Sequence, residues 1–152
     1  MSDAAGEANV MSLLAPEDIN RLKGLPPVAI AAAYNTPQPP DRLAGNPSFL
    51  QFMHNVIARY APAEPTIQTA AQQKGEGQIY LADANSPQAR QGTFPPEDII
   101  GVLNVKGGRC IVGSYAPNPN YLVFRRGRGL VRLPGPLHEA LLNELRSLPP
   151  RQ

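Results

Sequence analysis

"DIIGVLNVKGGRCIVGSYAPNPNYLVFRRGRGLVRL", residues 98 to 133, decides how this chain folds. Four apolar runs, DIIGVLNV, RCIVGSY, YLVFR and LVRL, alternate with KGG, APNPN and RGRG. β-Branched and aromatic side chains suit a pleated surface. Glycine, proline and asparagine supply the backbone angles of tight turns. With QIYLADA at 78–84 placed before it, the stretch predicts a four- to five-stranded antiparallel meander over about 78–133.

Helical signals flank the meander. In NPSFLQFMHNVIARYAP, Asn46 is positioned to cap and Pro47 to open a helix. Phe49, Leu50, Met53, Val56, Ile57 and Tyr60 then recur at three- and four-residue spacing on one face. PGPLHEALLNELRSLPP sets Leu137, Leu141, Leu145 and Leu148 on a similar stripe between Pro136 and Pro149. Shorter helices are predicted in APEDINRLKG and EPTIQTAAQQKG, while residues 25–34 suit either a buried strand or a short helix. Pro87, Gly92, Pro95 and Pro96 mark a long loop ahead of the main strands. The fold expected is α+β, with helices 46–60 and 136–148 on one face of the antiparallel sheet. Residues 1–12 read as a flexible N-terminal tail and 13–150 as a single domain.

The chain has 152 residues, 42% of them hydrophobic and 17% charged, enough for one real core. One cysteine excludes an internal disulfide, and the acidic start lacks the basic region of a secretory signal. The longest apolar run, VAIAAAY at 28–34, falls well short of the roughly 20 residues that span a membrane. These features predict a soluble cytoplasmic protein.

Charge is uneven. Residues 99–133 hold Lys106, Arg109, Arg125, Arg126, Arg128 and Arg132 with no acid among them. Arg109, Arg125, Arg126, Arg128 and Arg132, with Tyr115 and Tyr121 interleaved, are therefore the candidate binding residues. Arginine and tyrosine anchor many protein interfaces, and such a surface also suits phosphates and bases. The same arginines suit the plainer role of solvated charges that keep sheet edges apart. Tyr115 and Tyr121 flank the APNPN turn as a potential cross-strand pair.

Catalytic readings are weaker. Cys110 would need His54 or His138 as base and a carboxylate such as Asp83 as orienter, yet it lies inside a predicted strand with no local signature of a cysteine enzyme. Two distant histidines and one cysteine do not make a zinc site. GRCIVGS lacks the lysine of a phosphate loop. Asp83, Glu97 and Asp98 are the acids available for carboxylate chemistry, and no cofactor motif is present. The expectation is a non-catalytic domain that recognises a protein or an anionic surface through the basic meander. Nucleic-acid binding is the second reading, and a small enzyme using Cys110 or Asp83 is the third.

Overall fold

A computed structural model of the chain describes residues 9–88 and 93–149. At the N-terminal end, Asn9–Met11 (β1) runs antiparallel to Ala32–Tyr34 (β2). The Met11 carbonyl also accepts the Ala31 N–H at 2.7 Å. The tail expected over 1–12 thus contains a paired strand at 9–11, because this short edge satisfies backbone groups at the start of β2. Residues 1–8 lie outside the described residues. Between these strands comes the short helix Pro16–Arg21 (α1), then a 3₁₀ turn at Pro27–Ala29, so residues 25–34 hold a turn and a strand rather than one element.

Arg42–Leu43 (β3) precedes Pro47–Tyr60 (α2). Asn46 caps α2 as its sequence predicts, its carboxamide oxygen accepting the Ser48 N–H, while its amide donates to the carbonyls of Pro27 and Ile30 at 3.0 Å each. Pro65–Lys74 (α3) follows, capped by Glu64, whose Oε1 accepts the Ile67 N–H at 3.1 Å. Gly75 ends α3 at a φ of 76°, a left-handed geometry that glycine adopts without strain.

The meander begins with Gly77–Ala82 (β4), antiparallel to the long strand Ile99–Lys106 (β5). Gly107 and Gly108, both at positive φ, turn β5 into Arg109–Cys110 (β6). Ala116–Pro117 (β7) returns to pair with the other end of β5. Phe124–Arg125 (β8) and Gly129–Leu130 (β9) then form a hairpin, but it joins β3 in a separate sheet of order β3-β8-β9. The α+β fold and its antiparallel pairing are as expected, while the single meander is divided into two sheets. The APNPN stretch is responsible. The Asn118 side-chain amide donates to the carbonyls of Pro96 and Ile99, and its N–H donates to Ile100, which ties this stretch to the start of β5. The chain therefore leaves the first sheet, and Tyr121 does not lie opposite Tyr115.

Helix Pro136–Arg146 (α4) packs against α2. Met53, Val56 and Ile57 of one and Leu137, Leu141 and Leu145 of the other are all buried in the common core. The helix running along β4, β5 and β6 is α3. No helix among the described residues is long and apolar enough to cross a membrane.

Candidate functional site

The basic residues of the meander separate into two groups. Arg128, placed by its sequence in a turn, has a completely buried side chain. Its Nη1 donates to Asp98 Oδ1 at 2.9 Å, its Nη2 donates to the Leu122 carbonyl, and its Cζ lies 5.2 Å from the centre of the Tyr121 ring. Arg125 forks onto the same carboxylate, Nε to Oδ1 at 3.1 Å and Nη2 to Oδ2 at 2.7 Å. Ser86 adds a hydroxyl bond to Asp98 Oδ2 at 2.7 Å. Burial alone would raise the Asp98 carboxyl, but the bonds from Arg125 and Ser86 and the two guanidinium charges hold it below the usual range.

Asp83 completes the cluster. Its Oδ2 accepts the Tyr121 hydroxyl at 2.7 Å, and its Oδ1 accepts the N–H groups of Asn85 and Arg132 at 2.9 and 3.3 Å. Arg128 Nε stands 3.5 Å from Asp83 Oδ2 without a hydrogen-bonded partner among the described residues. Burial pushes the Asp83 carboxyl up, partly opposed by Tyr121, Asn85 and the Arg128 charge. Tyr121 is raised by its own burial and by the Asp83 charge, so it remains a protonated donor. Each Asp98 oxygen holds two donors and both Asp83 oxygens are occupied. The geometry therefore acts as a cross-link between the β8–β9 hairpin and the segments around 83–86 and 97–98.

Arg126, Arg132 and Arg109 remain at the surface, in the β8–β9 turn, in the chain after β9 and on β6 respectively. Arg126 pairs with exposed Asp41. The Arg132 side chain projects outward beyond its backbone bond to Asp83, and Arg109 borders a polar cleft of about 380 Å3 with Gln68, Gln72 and Cys110. Neither Arg109 nor Arg132 has an ion-pair partner among the described residues. The phenol end of Tyr115 packs over Gly101, where a Cβ would collide with it, and its hydroxyl is 2.7 Å from His54 Nδ1. Burial lowers His54 to about 4 and raises Tyr115, which gives a neutral imidazole facing a protonated phenol. Burial also raises the half-buried Cys110 thiol, and among the described residues no histidine or carboxylate is bonded to it. No metal-ligating cluster of histidine, cysteine and acid occurs among the described residues.

A second feature lies on the other side of β5. β4 is an outer strand, and among the described residues nothing pairs with its outer side. Its sequence, GQIYLA, has neither a charge nor a proline. Tyr80 is 59% exposed. Beside the strand runs an apolar groove of about 340 Å3, walled by Ile67 and Ala70 of α3, by Ile79 and Tyr80, and by Phe94 and Pro134. The sequence reading identified QIYLADA as a strand but did not single out Tyr80. The available signal was a strand without the charged or proline residues that usually protect an edge. Comparison with protein-family models, with curated proteins and with solved structures finds no match to the chain.

Proposed function

We propose that this chain is a non-catalytic interaction domain that recognises a protein by accepting an extended segment of it along the open side of β4. The observation that carries the reading is the neutral, unprotected outer strand beside an apolar groove. Main-chain hydrogen bonds along such an edge supply affinity, and pockets for alternate side chains supply selectivity. The structural bonds of the two carboxylates support the non-catalytic part: each Asp98 oxygen accepts two hydrogen bonds, and Asp83 accepts from Tyr121, Asn85 and Arg132. Recognition thus moves from the arginines of the meander to the neighbouring strand.

The test is selection of binding dodecapeptides from a displayed library, followed by hydrogen exchange on the complexes. Binding should slow amide exchange across 77–82, and the double variant Gln78→Lys, Tyr80→Lys should abolish it while remaining folded. Protection confined to 106–112 or 125–132 would overturn the edge reading. The exposed pair Arg109 and Arg132 favours a second reading, an anionic or nucleic-acid partner. That reading requires a single-stranded oligonucleotide to bind with a steep salt dependence.

A further inference from the structure

We propose that the segment taken up along β4 carries a cationic side chain, lysine or arginine between apolar neighbours, seated against Glu64. The inference rests on the edge reading above and specifies the chemistry of its occupant. Glu64 borders two depressions at once. One is the groove beside β4, and the other is a hollow of about 230 Å3 between Tyr60, Ala63 and the start of α4 at Pro136, Leu137 and Ala140. Glu64 thus stands where two apolar hollows meet and is only 8% exposed.

The charged side chains lining the groove, among the described residues, are Glu64 and Asp83, both acids. Asp83 is occupied by Tyr121, Asn85 and Arg132. Glu64 commits Oε1 to capping α3 and makes no ion pair with any described residue. The positive end of α3 offsets part of its charge, but Oε2 accepts no hydrogen bond from a described residue, in a side chain that borders two mainly apolar hollows. Water screens such a charge less than one on an open surface, so an ammonium or guanidinium brought there gains more than at an exposed pair. The hollows on either side favour apolar residues flanking the cation.

The experiment uses three end-capped synthetic nonapeptides of alternating threonine and valine that differ only at the centre: lysine, norleucine or glutamate. Fluorescence anisotropy measures their Kd, and hydrogen exchange maps where they bind. The lysine peptide should bind roughly tenfold more tightly than the norleucine peptide, and the glutamate peptide most weakly. Glu64→Gln retains an oxygen to cap α3, so it should erase the lysine preference and bring the lysine and norleucine peptides to similar Kd. Equal affinities for all three, with protection at 77–82, would overturn the role of Glu64 and leave the edge reading intact. Absence of protection at 77–82 with every peptide would remove both. A lysine preference that survives Glu64→Gln would also overturn the assignment. If that variant does not fold, carbodiimide coupling of the lysine peptide to the wild-type chain decides the matter. Coupling at Glu64 supports the site, and coupling only at other carboxylates overturns it.

Discussion

The β8–β9 hairpin and the outer side of β4 invert what their sequences suggest. The hairpin carries the densest positive charge in the chain, yet two of its arginines are drawn inward onto Asp98. β4 carries no charge, yet its outer side is unpaired among the described residues. Formal charge reports what a segment can pair with, while availability depends on whether the fold has already supplied the partner. At the hairpin both arginines meet Asp98, 27 and 30 residues earlier in the chain, and at the outer side of β4 no partner is supplied among the described residues.

The largest expected effect tests the buried half of this contrast. Asp98→Ala leaves Arg128 enclosed without its main counter-charge, and equilibrium denaturation should show a loss of about 3–5 kcal/mol. Arg126→Gln, at the tip of the same hairpin, removes an exposed pair and should change stability by less than about 0.5 kcal/mol. Equal effects from the two would break the comparison. Replacing Arg125, Arg126 and Arg128 together therefore tests folding and not recognition alone.

Next come the helices that hold both regions in place. Leu141→Ala or Met53→Ala opens a cavity between α2 and α4 and should lower stability by about 2–5 kcal/mol in the same assay. A loss below about 1 kcal/mol from both would mean that this interface tolerates cavities by collapsing.

Acid sharpens the contrast further. His54 stays neutral in the native state down to about pH 4, whereas in the unfolded chain it takes up a proton near 6.5. Between those values the unfolded state binds more protons, so stability falls as pH falls through that window. Asp98, held low in the fold, adds a loss of the same sign at more acidic pH, and Asp83, raised, acts in the opposite direction. Thermal melts at pH 7.5, 6 and 5 should show a falling midpoint, and His54→Phe should flatten the slope across that range. An unchanged slope in the variant would assign the acid sensitivity elsewhere.

The smallest expected effect belongs to the open edge. Tyr80→Lys should change the unfolding midpoint hardly at all, because Tyr80 supports little of the core, while weakening peptide uptake along β4. A stability loss above about 1 kcal/mol would show that Tyr80 is structural, and would narrow the difference between the two regions.

Local signals read well here for local reasons. The stripes of α2 and α4, the Asn46 cap and the Gly107–Gly108 turn depend on neighbours within a few residues, and each is where its pattern places it except at the helix ends, where Tyr60 is exposed and Leu148 lies past the last turn of α4. The division of the meander depends on Asn118 reaching carbonyls about 20 residues away, which no periodicity encodes. The candidate site was half legible. QIYLADA was visible as a strand, but its position at the outside of the sheet follows from which strands chose β5 as partner.

The sequence by itself determined an α+β chain with antiparallel strands, two amphipathic helices and the turns between them, because propensity, period and capping act over short distances. Only the tertiary structure decided that Arg125 and Arg128 face inward, that Glu64 borders two apolar hollows, and that the outer side of β4 has no partner among the described residues. Those outcomes depend on pairing between distant segments, where desolvation makes a charge seek a partner and sheet order determines which backbone edge lacks one.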